Sequence, residues 1–269
     1  MTVKILKHPS TGRIVRLGRR RPIARGPRLK LARYMPAIMP TIPANTNYRG
    51  NAAAFLAQIL ANDRLGDCTA AGAFHIDGLL LGNAGQPITF TEDDAVKFYS
   101  ATTGYVPGDP STDRGGDEVT VLNYWRQYGL VGNDHKISAW VSVDAANEQQ
   151  VRLAMYLFEN LYFGVELPDA WVNPFPSGNG FTWDVAGDPD PENGHSFVGV
   201  DLEEGGILVD TWGMIGTMTQ AAIGRYASSS DGSGELYAVL SQDAINRATA
   251  KSPTGFDFAQ LQADIAAFH

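Results

Sequence analysis

The sequence contains a single cysteine, Cys68, among its 269 residues. A disulfide within the chain is therefore excluded, and stability has to come from packing of the hydrophobic residues, which make up 44% of the sequence. One cysteine and scattered histidines leave no Cys/His cluster for a metal site, and we expect no cofactor. A lone thiol is either buried and inert or a catalytic nucleophile, and the residues around Cys68 have to decide between the two.

Long apolar runs are also missing. No stretch approaches the roughly 20 apolar residues that a membrane-spanning helix needs, so we expect no membrane span. The segment Gly18–Pro22 (GRRRP) has the paired arginines of an export signal, but no apolar run follows it. We therefore expect no signal peptide, and a cytoplasmic or virion-associated location.

Acidic residues are absent from the first 50 residues, which hold 12 of the 21 lysines and arginines. The rest of the chain has 29 acidic residues against 9 basic ones. Prolines recur between positions 22 and 43 and disfavour regular secondary structure. We predict that residues 1–45 form an extended basic arm, which lies on the acidic body of its own chain or on an assembly partner with an acidic surface. Nucleic acid is a less favoured partner, because few aromatic residues separate the cations.

The remaining chain has a helical half and a strand half. Helical patterns predict a helix over 51–61 capped by Asn51, one from Cys68 to Leu81 capped by Asp67 and ended by Gly82, and others over 92–102, 116–128 and 149–161. Short β-type runs separated by turn residues follow up to about residue 245, and a tail helix is expected over 256–269. This order predicts an α+β protein with a cleft between its layers.

Cys68 would begin its helix, where unpaired N–H groups and the helix dipole favour a thiolate. A thiolate nucleophile also needs a histidine, and the sequence offers five. His8 lies in the arm and His269 ends the chain. His75 lies two helical turns from Cys68, and His135 lies in a polar loop, so these four are excluded. His195 remains.

His195 opens a β-hairpin pattern. The run 194–202 turns through Glu-Glu-Gly-Gly and returns as residues 207–213. Period-two alternation predicts that Asp210 lies on the same face as His195, where its carboxylate can orient the imidazole.

These features resemble the papain-like cysteine peptidases. Residues 62–68 (NDRLGDC) are similar to the glutamine-to-cysteine turn of that family, and Gly115-Gly116 precedes a helix as in its helical lobe. Residues 210–213 (DTWG) are similar to its Asn-Ser-Trp-Gly segment after the histidine strand. The resemblance covers roughly residues 36–240.

The resemblance implies a catalytic domain over residues 46–269, with a helical lobe at about 51–164, a β lobe at about 165–245 and the active-site cleft between them. It implies that Cys68 is the nucleophile, His195 the base and Asp210 the residue that orients it, while Trp212 shields the pair from water. Asn62 takes the oxyanion-glutamine position. The implied activity is hydrolysis of a peptide or amide bond, with a peptide or protein substrate.

Three departures from the family pattern leave an alternative open. Asn62 is one methylene shorter than glutamine, Thr69 replaces an aromatic residue, and Asp67 adds a negative charge beside the thiol. The alternative is a catalytically degenerate papain-like structural protein, anchored in a phage, virion or other assembly by its basic arm. In the peptidase interpretation either the same arm is a short pro-segment or regulation lies elsewhere.

Overall fold

The computed structural model describes residues 3–22, 29–229, 234–251 and 256–267. The strands are β1 Lys4–Lys7, β2 Ile14–Leu17, β3 Leu29–Lys30, β4 Ala139–Ser142, β5 Leu161–Glu166, β6 Phe181–Trp183, β7 Gly194–Glu203, β8 Gly206–Thr211, β9 Met214–Thr219 and β10 Glu235–Leu240. The α-helices are α1 Ala53–Leu56, α2 Cys68–Asn83, α3 Glu92–Thr103, α4 Glu118–Tyr128, α5 Glu148–Phe158, α6 Asp169–Val172, α7 Gln220–Tyr226, α8 Gln242–Lys251 and α9 Phe258–Ala267.

Most strands join one mixed sheet. Within the described ranges its order is β3-β4-β10-β5-β7-β8-β9-β6, while β1 and β2 form a separate hairpin. The neighbours are antiparallel except for β3 with β4 and β6 with β9. The predicted α+β class is confirmed, because helices pack over this sheet.

Helix α2 lies in the centre of the molecule. Its sequence is apolar or small on every side, so almost the whole helix is buried. Gly72 lets the helix approach Tyr162 of β5, and Gly78 lets it approach Phe55 of α1. This close packing fixes the N-terminus of α2, and with it Cys68, against strand β7, which contacts the same helix.

Several element boundaries differ from the sequence predictions. The helix predicted over 51–61 is short, because α1 ends at Leu56 and Leu60 and Ala61 adopt positive φ angles of 50° and 74°. Helix α2 continues through Gly82 to Asn83. Helix α5 ends at Phe158, because Glu159 adopts the left-handed conformation, and residue 161 already begins β5.

The sheet also takes strands from the half predicted to be helical. Both β4 and β5 lie before residue 167, so sheet residues fall within the predicted helical lobe of 51–164. The arm predicted over 1–45 is not extended throughout its described part: it contains the β1–β2 hairpin, and apolar residues such as Val15, Leu31 and Tyr34 belong to the main core. The tail helix is present as α9, in the described part of 256–269. None of the helices in the described ranges is both long and apolar enough to span a membrane.

Candidate active site

Cys68 is the first residue of α2 and is buried. Asp67 occupies the N-cap position as expected, but its side chain makes no capping hydrogen bond. It accepts instead from the side chain of Asn62, with an Nδ2···Oδ1 distance of 3.3 Å. Complete burial raises the pKa of Asp67 well above its usual value. The negative charge expected beside the thiol is therefore disfavoured.

The sulfur of Cys68 lies among backbone groups of two other segments. Burial raises the pKa of Cys68 to about 12, while hydrogen bonds from the backbone of Ser196 and Gly18 act in the opposite direction. Ser196 follows His195 in β7, and Gly18 belongs to the N-terminal arm.

His195 contacts Thr211, the last residue of β8, and Trp212, which follows it. Its Nε2 atom lies 2.8 Å from Oγ1 of Thr211, and its ring stacks on Trp212 with 4.5 Å between the ring centroids. Its Nδ1 atom is buried and has no hydrogen-bond partner within the described residues. Burial lowers the pKa of His195 to about 3, so the imidazole is neutral.

A β-bulge between Gly199 and Asp201 decides which residue of β8 faces His195. If the register near the turn continued, Asp210 would lie opposite Gly199 and share a face with His195. Past the bulge Asp210 pairs with Val198 instead. A slip of one residue moves a side chain to the other face of a strand, so Asp210 points away from the imidazole and the residue after it takes its place.

The predicted contact between Asp210 and His195 is therefore replaced by two others. Thr211 contacts His195, while Asp210 contacts His75, with 2.8 Å between Oδ2 and Nδ1. His75 lies two turns along α2 from Cys68, the distance for which it was excluded as a partner of the thiol. Its role is to pair with the buried carboxylate of Asp210.

Asn62 is buried beside the cysteine, but its amide group is in use. Nδ2 donates to the carbonyl oxygen of Leu65 at 3.0 Å and to Asp67 at 3.3 Å. Both amide hydrogens therefore stabilise the turn before α2. In this state Asn62 has no free donor for an oxyanion.

One narrow cavity joins the predicted site residues. Its lining includes Asn62, Cys68, His75, His195, Asp210, Thr211 and Trp212. The structure thus brings together all five residues predicted for the site, from three regions of the sequence. It adds His75 and Thr211 to them.

Comparison with known proteins gives matches among solved structures, whereas no family model and no curated protein sequence matches. Xylellain, a cysteine protease from Xylella fastidiosa, is 12% identical, with 88% of this chain and 98% of that one covered and a TM-score of 0.65. The cysteine protease and lectin-like domains of Cwp84, a surface-layer-associated protein of Clostridium difficile, are 11% identical over 90% of this chain and 62% of that one, with a TM-score of 0.55. The Carica candamarcensis cysteine protease CMS1MS2, in complex with E-64, is 17% identical over 74% of this chain and 99% of that one, with a TM-score of 0.50.

The chain has the papain-like cysteine protease fold. The predicted papain-like α+β fold is confirmed, and α2, with the cysteine at its N-terminus, contacts strand β7, which carries His195. At these sequence identities the structural similarity establishes the fold alone. It does not establish the roles of individual residues.

In this papain-like fold, residues 18–20 of the arm lie in the cleft. The N–H of Gly116 donates to the carbonyl oxygen of Gly18 at 2.9 Å, and the N–H of Arg20 donates to that of Gly116 at 2.7 Å. On the other wall, the N–H of Arg19 donates to the carbonyl oxygen of Gly194, the residue before His195, at 3.0 Å. The arm thus connects the two walls of the cleft beside the thiol.

Gly18 and Gly194 lie where the arm and the body of the protein approach each other closely. A Cβ atom at Gly18 would lie 2.0 Å from the carbonyl oxygen of Gly66, and one at Gly194 would lie 2.2 Å from that of Arg19. Any side chain at these positions would push the arm out of the cleft.

The cations of the arm contact carboxylates of its own body. Arg19 is buried. Its Nε atom lies 3.3 Å from the carboxyl group of Glu118, and its Nη2 atom lies 2.5 Å from that of Glu235. Three further pairs are Lys4–Asp190 at 3.9 Å, Arg21–Glu166 at 2.7 Å and Arg33–Asp264 at 3.3 Å.

Three residues of the site were not predicted from the sequence: Thr211, Glu118 and Glu235. Thr211 lies between Asp210 and Trp212 in the sequence. A hairpin register that included one bulge would have placed Thr211, instead of Asp210, on the face of His195. Glu118 follows Gly115-Gly116, which the family resemblance places before a helix of the helical lobe. No local signal distinguishes Glu235, because its partner Arg19 lies 216 residues away.

Proposed function

We propose that the chain is a cysteine peptidase or amidase in which Cys68 is the nucleophile and His195 the general base. The observation that carries this proposal is the shared cavity of the two residues. Ser196, adjacent to His195, lines the same cavity, and Nδ1 of His195 is left without a partner within the described residues. A buried ring nitrogen without a partner is expected where a proton is exchanged.

The chemistry follows from these positions. Sγ of Cys68 attacks the carbonyl carbon of the scissile amide, and its proton passes through His195 to the leaving amine. Water then hydrolyses the thioester, which releases a carboxylic acid and restores the thiol. The N–H of Cys68, at the open N-terminus of α2, stabilises the oxyanion, and Asn62 joins it only after leaving Leu65.

Thr211 and Trp212 take the supporting roles. The hydroxyl of Thr211 fixes the imidazole through Nε2, which leaves Nδ1 for the proton transfer. The indole of Trp212 covers the ring and excludes water from it. Asp210, expected in the orienting role, supports the site through His75.

In this proposal the arm is a pro-segment, and the described state is a covered one. Burial disfavours both the thiolate and the imidazolium, with pKa values of about 12 for Cys68 and about 3 for His195. The proton therefore stays on the sulfur. Departure of residues 18–20 would admit water, reduce the desolvation of both groups and make the ion pair accessible.

A degenerate, structural papain-like protein is the second candidate, and the neutral, buried thiol is the observation that favours it. Its anchoring in a phage, virion or other assembly requires a free arm. The contacts of Lys4, Arg19 and Arg21 with their own body count against that part of the alternative.

Hydrolysis of denatured proteins, with the peptide products identified by mass spectrometry, tests the two candidates. The chain is assayed with a Gly18→Ala variant, which uncovers the cleft, and with Gly18→Ala/Cys68→Ala and Gly18→Ala/His195→Ala as controls. The peptidase proposal expects products from Gly18→Ala that both controls lack. An uncovered thiol that alkylates readily but yields no products would favour the degenerate protein.

A further inference from the structure

The side chain of Arg19 enters a closed pocket in the cleft. Glu118, at the start of α4, and Glu235, on β10, contact its Nε and Nη2 atoms. The hydroxyl of Tyr237 donates to the second oxygen of Glu235 at 2.6 Å. Two elements, α4 and β10, thus converge on one guanidinium group, and the side chains of Arg19 and Glu118 are at most 1% exposed.

A neighbouring glycine provides the space for this group. Gly164 of β5 lies beside Glu235 in the sheet. A Cβ atom there would lie 2.4 Å from Oε1 of Glu118 and 2.9 Å from Nε of Arg19. The pocket is therefore shaped around a planar group that occupies the position of the missing side chain.

The two carboxyl groups of the pocket also favour a cation. Burial, together with the nearby Glu235, raises the pKa of Glu118 well above its usual value, although Arg19 acts in the opposite direction. Two buried carboxyl groups this close cannot both ionise unless a positive charge lies between them. A guanidinium presents its N–H donors in a rigid fork and reaches both carboxyl groups at once, whereas the single ammonium nitrogen of lysine does not.

The pocket adjoins the reacting sulfur. Gly18, the residue before Arg19, lies against the turn that leads into Cys68, because a Cβ atom there would be 2.0 Å from the carbonyl oxygen of Gly66. A side chain held in the pocket therefore belongs to a residue next to the one that packs beside the thiol. At this spacing the pocket can bind one side chain of a peptide in the cleft and select for it.

We propose that Glu118, Glu235, Tyr237 and Gly164 form an arginine-binding subsite of the cleft, that Arg19 fills it in the covered state, and that substrates present an arginine side chain to it. This inference rests on the proposed peptidase function for its substrate part only. Guanidinium binding by the pocket is independent of catalysis.

The test uses the full chain with an Arg19→Ala substitution and ethylguanidinium as the probe, read by the thermal unfolding midpoint. We expect the probe to raise the midpoint of Arg19→Ala saturably, with an apparent affinity roughly 10- to 100-fold weaker in Arg19→Ala/Glu235→Gln, because a hydrogen bond to a charged group is lost. Arg21→Ala is the matched control, since Arg21 also pairs with a buried glutamate, Glu166, but outside the pocket.

Equal responses of Arg19→Ala and Arg21→Ala, or an equal effect of butylammonium, would overturn the proposal. If Arg19→Ala does not fold alone, recovery of its native circular dichroism with ethylguanidinium, and not with butylammonium, becomes the readout. Failure to recover then counts against the pocket.

The substrate part is tested by the sequences of the peptides that Gly18→Ala releases. Enrichment of arginine at one position beside the cleaved bond, lost in Gly18→Ala/Glu235→Gln, is the expected result. Cleavage without arginine preference would refute the substrate class and leave the peptidase proposal intact. Absence of any cleavage, together with ethylguanidinium binding by Arg19→Ala, would refute the peptidase function, and with it the substrate class, while the pocket stands.

Discussion

Replacing Gly18 by alanine places a methyl group against the carbonyl oxygen of Gly66. The two atoms would be 2.0 Å apart, whereas ordinary contacts begin at 3.4 Å, and the obstacle is backbone, so the arm has to move. Movement breaks the three backbone hydrogen bonds that residues 18–20 make with Gly116 and Gly194. At about 0.5–1.5 kcal/mol each, their loss destabilises the covered state by roughly 1.5–4.5 kcal/mol. The open population should then rise about 10- to 2000-fold.

The rate of Cys68 alkylation by iodoacetamide measures this opening, because the buried thiol reacts only when it is uncovered. Gly178→Ala is the matched control, since a Cβ atom there meets nothing within 4 Å. We expect fast alkylation in Gly18→Ala and wild-type rates in Gly178→Ala, with native circular dichroism in both. A wild-type rate in Gly18→Ala would refute the view that the arm covers the thiol.

Two further predictions concern His195. Its folded pKa of about 3 lies below the ordinary value of 6.5, so its contribution to stability is complete above pH 6.5 and is lost as the pH falls from about 6.5 toward 3. In urea denaturation, the free energy of unfolding of the wild type should rise more steeply with pH in that window than that of His195→Gln, by up to about 1.4 kcal/mol per pH unit. The same pH dependence in both proteins would contradict the burial of a neutral imidazole. Thr211→Val leaves Nε2 of His195 buried without its partner and should lower the free energy of unfolding by about 1–3 kcal/mol. The exposed Thr182→Val serves as its control, and equal stabilities of the two variants would argue against the contact.

The fold could be predicted from local signals that tertiary packing then reinforced. The Cys68 helix, the 194–213 hairpin and their order along the chain were sufficient for the papain-like architecture. The helix expected over 149–161 ended early, because Glu159 takes the left-handed conformation, and its side chain pairs with Arg247 at 2.8 Å and with Lys251. Partners nearly 90 residues away leave no trace in local periodicity.

The site was harder to predict in detail than the fold. Cys68 and His195 followed from chemistry and pattern, but the contact to His195 depended on a single bulge that periodicity does not reveal. The arm was correctly expected to be basic, and the path of Arg19 into the cleft could not be derived. That path depends on carboxyl groups supplied by two distant elements, α4 and β10.

The pH dependence of Cys68 alkylation in Gly18→Ala, with and without His195→Ala, shows whether His195 activates the thiol. We predict a midpoint well below the roughly 8.5 of a free cysteine in Gly18→Ala, and its return toward that value when His195 is removed. A midpoint at or above the free-cysteine value in both proteins would contradict an activated Cys68–His195 pair.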